Sequence, residues 1–219
     1  MGFLVNSFIE FPADTNPPDF EDDFSSNSGW TYVGTVSYNA SGYQNLTFAR
    51  NDANNGCYHD LTTVSNTGWR LRAKWHLTSK MASGQSSFLG LTSVTGGSND
   101  TQDAIGVSFT TVNNTLFTHD SDGQTIAAGA NSSNAFTTTN GTDYFIQIRR
   151  LSATTMRVEI FPDDTYDTAD ITINDTIPST IQDTIYLKEE NRAELSNKAG
   201  QSDDWTGDDV QFWNNLDDV

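Results

Sequence analysis

The chain is short of basic residues. Eleven lysines and arginines face 29 aspartates and glutamates over 219 residues, a formal net charge of −18. A surface this acidic repels nucleic-acid phosphate and anionic lipid, so neither nucleic acid nor a membrane is an expected partner. It suits divalent cations, salty surroundings or neutral partners such as sugars. Cysteine is nearly missing: Cys57 stands alone, no disulfide can close within the chain, and the plain reading is a half-buried thiol. No hydrophobic run approaches the ~20 residues of a membrane-spanning helix. The opening MGFLVNSFIEF carries no positive segment and no sustained apolar stretch, so no signal peptide is read there. GxSxG, P-loop, paired CxxC and HExxH motifs are all missing, and no nucleotide site is expected.

Aromatics, by contrast, are plentiful, with five Trp, seven Tyr and thirteen Phe. That is enough apolar mass for a real core. Gly, Ser, Thr and Asn abound, which favours strands and turns over helices. Six of the acids are Glu and the rest Asp, which places the charge in loops. Seven N-x-S/T sequons, from Asn39 to Asn174, mark polar, solvated loops.

The strand pattern is clearest in WRLRAKWHL, residues 69 to 77. Trp69, Leu71, Ala73, Trp75 and Leu77 fall on one face and Arg70, Arg72, Lys74 and His76 on the other, the period-two mark of a half-buried antiparallel strand. The basic stripe is either a solvated strand face or an anion contact. SFLGLTSV and AIGVSFTTV flank a Gly-, Asn- and Asp-rich turn. TLFTHD and QTIAAG flank Ser121-Asp122-Gly123, where Asp-Gly signals a hairpin. Residues 143–164 read as another hairpin, and ADITIND, TIYLKEE and DVQFWNN as further strands. The best helix candidate, residues 191–199, holds two turns at most. About a dozen short strands imply two stacked antiparallel sheets. Residues 1–19, with Phe3, Val5, Phe8 and Phe11 ahead of a Pro pair, are either a first strand and loop or an arm that docks on a neighbouring subunit.

Acidic doublets sit near both ends, in Phe20-Glu21-Asp22-Asp23-Phe24 and in Asp208-Asp209-Val210-Gln211-Phe212-Trp213. With the WRLRAKW and AIGVSF strands and the YFIQIRR–TMRVEIF hairpin, these segments resemble the concanavalin A-like lectin/glucanase superfamily, in particular its laminin-G-like and family-16-glucanase-like jelly rolls. The resemblance spans about residues 20 to 215. It implies an all-β, two-sheet antiparallel jelly-roll sandwich over residues 20–219, behind the arm of residues 1–19. It also implies that the first and last strands lie side by side, with a structural calcium between them. By position, its ligands would come from Glu21, Asp22, Asp23, Asp208 and Asp209. Two carboxylate doublets brought together would repel without such a cation. The second acidic stretch, His119-Asp120-Ser121-Asp122-Gly123, lacks EF-hand spacing and reads as a hairpin turn.

Catalysis is not expected. A family-16-type hydrolase carries a Glu-x-Asp-x-Glu or Glu-x-Asp-x-x-Glu string on one strand. Glutamate occurs only at 10, 21, 159, 189, 190 and 194, and none begins that string. Cys57 and His59 would share a strand face, but such catalytic pairs usually come from distant segments. Three classes remain. The first is a non-catalytic, lectin-like module binding glycans or surface polymers, with Trp30, Tyr32, Tyr38, Tyr43 and Trp205 as candidate sugar-stacking rings unless they are core. The second is a structural virion protein, such as a capsid decoration or tail-fibre component, held among other virion or surface-lattice subunits by its arm. The third, least favoured, is a glycoside hydrolase. The expected location is extracellular or on a virion surface.

Overall fold

The computed structural model describes residues 16–23, 29–33, 37–39, 43–45, 55–79, 85–95, 102–110, 115–123, 126–128, 136–139, 141–193 and 204–215. Among them are sixteen strands: β1 Phe20–Asp22, β2 Thr31–Val33, β3 Ser37–Asn39, β4 Tyr43–Asn45, β5 Asn55–Asp60, β6 Trp69–Ser79, β7 Gln85–Thr92, β8 Asp103–Thr110, β9 Thr115–Asp122, β10 Ile126–Ala128, β11 Phe136–Thr137, β12 Thr142–Ser152, β13 Thr155–Phe161, β14 Ile171–Thr176, β15 Tyr186–Ala193 and β16 Asp204–Trp213. All pairings are antiparallel. They form two eight-stranded sheets. Sheet A runs β14-β13-β12-β6-β16-β4-β3, with β1 also on β16. Sheet B runs β10-β9-β8-β7-β15-β5-β2, with β11 also on β9. This is the expected two-sheet jelly-roll sandwich.

The alternation read from β6 holds. Trp69, Leu71, Ala73 and Trp75 are buried, while Arg70, Arg72, Lys74 and His76 are half-buried on the outer face of sheet A. The inner faces meet in one core. Sheet A contributes Leu71, Ile146, Ile148, Val158, Ile173 and Phe212, and sheet B contributes Leu89, Leu91, Ile105, Val107, Leu116 and Leu187. Arg150 is fully buried as well, yet its guanidinium donates to the carbonyls of Ser152, Ala153 and Ile181. Such bonds offset much of the cost of burying the charge.

Gly90 and Gly106 lie opposite each other in β7 and β8, with the Phe88 ring across them. A Cβ on Gly90 would come 2.3 Å from the Ile105 carbonyl oxygen and 2.6 Å from Gly106 Cα. The close approach fixes glycine at both places.

The helix candidate at 191–199 is corrected in part. Asn191–Ala193 is the end of β15, paired residue by residue with Gln85–Ser87 of β7. Eight residues of ladder override a weak two-turn preference. Residues 194–199 lie outside the described residues, as do residues 1–15 of the arm. Its last residues are tied down: Asp19 N–H donates to Phe212 O, Trp213 Nε1 donates to Asn16 O, and Asn214 N–H donates to Asp19 Oδ2.

Candidate functional site

β1 pairs with β16 in the register Phe20↔Phe212, Glu21↔Gln211 and Asp22↔Val210. The two ends of the sequence therefore lie side by side, as the resemblance implies. Opposite β6, β16 carries a bulge. Asp208 pairs with Lys74 and Gln211 with Arg72, so Asp209 and Val210 together face one residue. Asp209 adopts φ +48°, a left-handed conformation that aspartate tolerates better than most residues. The bulge turns the exposed Asp209 carboxylate out of the ladder.

Beside this bulge is a groove of about 670 Å³. Its carboxylates are Glu21, Asp22 and Asp23 from the first strand, Asp209 from the last, and Asp164 from the segment between β13 and β14. The Phe145 and Tyr166 rings and the Gln211 amide complete the chemistry. The rings are held from behind. Tyr166 packs edge-on against Phe145 and Phe161, and the Arg72 guanidinium lies 4.4 Å from its ring centre. Burial pushes the Tyr166 hydroxyl well above the usual phenol range, so it stays protonated and able to donate.

The five acids expected to hold a metal are placed unequally. Glu21, Asp22, Asp23 and Asp209 share the groove. Asp22 already has a structural task, since its Oδ2 accepts a 2.9 Å hydrogen bond from Trp30 Nε1. The backbone of Asp208 is opposite Lys74, and its side chain lies outside the described residues. Among the described residues no three His, Cys, Asp or Glu side chains converge as a metal shell would require. The donors are hard oxygens, which suits calcium chemically. Their spacing does not make a closed cage.

The expected aromatic platform is rearranged. Trp30 is 7 % exposed, packed edge-on to Phe20 and tilted against His59. Its indole N–H is satisfied by Asp22, so the ring belongs to the core and presents no face to a sugar. Tyr32 packs against the same core, half-buried. Tyr38, Tyr43 and Trp205 occupy β3, β4 and β16, with side chains outside the described residues. The rings that do line the groove, Phe145 and Tyr166, were missed. Phe145 was hidden in an alternating strand, and Tyr166 follows a PDDT loop with no periodicity.

Two other expectations are settled by packing. Cys57 is 1 % exposed in the core cluster, more deeply buried than the half-buried thiol expected. His59 is stacked on Phe20 at 3.9 Å, with Nδ1 2.6 Å from Gly29 O. The pair serves packing. Glu159 lies among Gln147, Arg149 and Arg157 rather than beside a second acid.

The stretch 119–123 does form a hairpin, with Ile126 opposite Ser121 and Gly123 at φ +73°. Yet Asp120 and Asp122 are strand residues of β9, and Asp120 is 2 % exposed. Facing it from β14 in the other sheet is Asp175, 8 % exposed, whose Oδ2 accepts from the Thr118 hydroxyl and Oδ1 from the Thr176 amide. Burial, then the charges of Asp175 and Asp122, pushes the Asp120 carboxyl up to about 7.

No protein-family model matches the chain, and no curated protein matches it by sequence. Solved structures do match in fold. The VIP36 exoplasmic/lumenal domain, in its Ca2+/Man3GlcNAc-bound form, superposes with a TM-score of 0.61 at 12% identity, covering 92% of this chain and 90% of that one. An endo-acting O-glycanase of the human gut microbiota gives 0.62 at 13% identity, covering 90% and 99%. The CBM2 module of the evolved Dit of Lactobacillus casei BL23 phage J-1 gives 0.53 at 12% identity, covering 93% and 98%. The chain therefore shares the two-sheet jelly-roll fold of these proteins, two of them sugar-binding and one a glycanase. At these identities the likeness fixes the fold alone.

Proposed function

We propose that the protein is a non-catalytic, lectin-like recognition module that binds glycans in the groove beside β1 and β16. The observation that supports this reading is the groove's composition. Two braced aromatic rings lie among carboxylates and an amide, in a fold shared with sugar-binding proteins. Sugars use both kinds of group, stacking C–H faces on rings and donating hydroxyls to carboxylates. The Tyr166 hydroxyl adds a donor. Non-catalytic action is part of the proposal, since one fold neighbour is a glycanase. Among the glutamates, Glu159 is bound into a network of arginines and Glu189 is fully buried, so neither stands ready as the free partner of a hydrolytic pair.

Calcium is proposed as an accessory ion of the groove, held by its exposed acids Glu21, Asp23, Asp164 and Asp209. Because these do not converge, a cation there would keep much of its water. Display on a virion or cell exterior, with residues 1–19 as a docking arm to other subunits, is a second reading. It is supported by the likeness to a phage carbohydrate-binding module.

The test is binding of the purified protein to a broad glycan panel, with calcium and then with chelator, beside Tyr166→Ala and Asp209→Asn. Asparagine tolerates the left-handed backbone at 209, so the second variant changes charge and leaves the bulge. Binding that both variants weaken at least tenfold supports the reading. Binding that neither variant alters contradicts the groove as the site.

A further inference from the structure

On the outer face of sheet A, the strand register sets three arginines side by side. Arg70 of β6 is directly opposite Arg149 of β12, and Arg149 is directly opposite Arg157 of β13. Trp213 of β16 and Asn174 of β14 close the row at its two ends. Like charges directly opposite one another in a sheet are destabilising. The neighbouring row, Glu21, Gln211, Arg72, Gln147 and Glu159, adds a fourth guanidinium.

One carboxylate, Glu159, lies close to both Arg149 and Arg157. Its Oε2 lies 3.4 Å from Arg149 Nε and accepts from Gln147 Nε2 at 2.7 Å, while Oε1 lies 3.9 Å from Arg157 Nη1. Arg72 Nε donates to Gln147, a neutral partner, and Arg157 Nε donates to Asn174, another. Arg70 stacks on Trp213 at 4.0 Å and Arg72 on Tyr166 at 4.4 Å. Burial, then the charges of Arg72 and Arg149, pushes the Arg70 guanidinium down to about 10. The far end of the same stripe differs. Asp143 takes both Lys74 Nζ at 3.4 Å and His76 Nδ1 at 2.5 Å, so that end is matched. In a chain of charge −18, five of the eleven basic residues (Arg70, Arg72, Lys74, Arg149 and Arg157) gather on this one face.

We infer that the arginine row is an anion subsite, which takes the carboxylate, sulfate or phosphate group of an acidic glycan lying on the outer face of sheet A beside the groove. Guanidinium groups pair with the oxygens of such anions through two parallel N–H donors. Arg72 joins the two parts of the site, because the ring it stacks on, Tyr166, lines the groove. The identity of the anion's carrier rests on the glycan-binding reading; the subsite itself does not.

The experiment is a binding titration of the whole protein, read by amide NMR shifts and calorimetry, with three probes: a sulfated or uronic oligosaccharide, its uncharged counterpart, and inorganic sulfate. Each is run on the native protein, on Arg70→Gln/Arg149→Gln and on Arg70→Lys/Arg149→Lys, with folding checked by thermal melting. The native protein is expected to bind the acidic oligosaccharide about tenfold or more tightly than the neutral one, an advantage that 0.5 M salt removes. The Gln pair should lose that advantage, and the Lys pair should keep part of it. Sulfate alone should shift β6 and β12 amides, which supports the subsite even if no glycan binds and the glycan reading fails. Equal binding of the acidic probe by native and Gln-pair proteins overturns the inference. So does the absence of any shift in β6 or β12 with every anionic probe.

Discussion

Asp120 and Asp175 lie between the two sheets, whereas Asp23, Asp164 and Asp209 stand exposed around the groove on sheet A. Both groups bring carboxylates from distant parts of the chain together, the first by the stacking of the two sheets and the second largely by the pairing of β1 with β16. Solvent makes them different. In the groove, water screens the charges and leaves them available to a ligand or cation. Between the sheets, burial and two like charges hold the Asp120 carboxyl near 7, while Asp175 accepts from the Thr118 hydroxyl and the Thr176 amide. A carboxylate cluster is thus a structural device or a binding surface according to its depth, not its number of acids.

The contrast is broken most sharply at Asp175. Asp175→Ala strips the Thr118 hydroxyl and the Thr176 amide of their acceptor at a nearly buried position. It should destabilise the fold by about 2 kcal/mol in urea unfolding, chiefly the cost of orphaning the buried Thr118 hydroxyl.

The pH dependence follows next in size. Asp120 has a folded value raised above its unfolded one, so its contribution is fully present below about pH 4 and is lost as pH rises toward about 7. Between pH 5.5 and 8 the loss should be roughly 2 kcal/mol, or several degrees in Tm. Asp120→Asn should flatten this part of the profile and be the more stable protein at pH 8. A variant that keeps the full native slope would show that Asp120 is not the titrating group.

Smaller still are the stability effects in the groove. Asp23→Asn, Asp164→Asn and Asp209→Asn should each lie within about 0.5 kcal/mol of native, as exposed charges do. If calcium enters the groove, the same changes should abolish any rise in Tm on adding calcium, while Asp120→Asn should leave that rise intact. A Tm that calcium does not move in the native protein would remove the ion from the account.

How much of this could be read from the sequence depends on the range of the signal. The strict alternation in β6 and the Asp122-Gly123 hairpin are local, and both were legible. The pairing of Phe20–Asp22 with Val210–Phe212 has no local signal; the resemblance supplied it. Trp30 looked free to stack on a sugar because nothing in its neighbourhood showed that Asp22 would satisfy its indole. Asp175 reaches Asp120 only when two sheets stack, and Arg70, Arg149 and Arg157 line up only through the register of β6, β12 and β13. Tyr166 and Asp164 enter the groove from an irregular segment. Inter-strand register carries these sites, and a single sequence does not encode it at short range.

The measurement closest to the central claim is glycan binding by the native protein and by Tyr166→Ala, both shown to be folded, across neutral and acidic sugars with calcium and with chelator. Binding by the native protein is expected to fall at least tenfold when the Tyr166 ring is removed. A folded native protein that binds no glycan in either condition would contradict it, and a Tyr166→Ala protein that binds as well as native would move the site away from this groove.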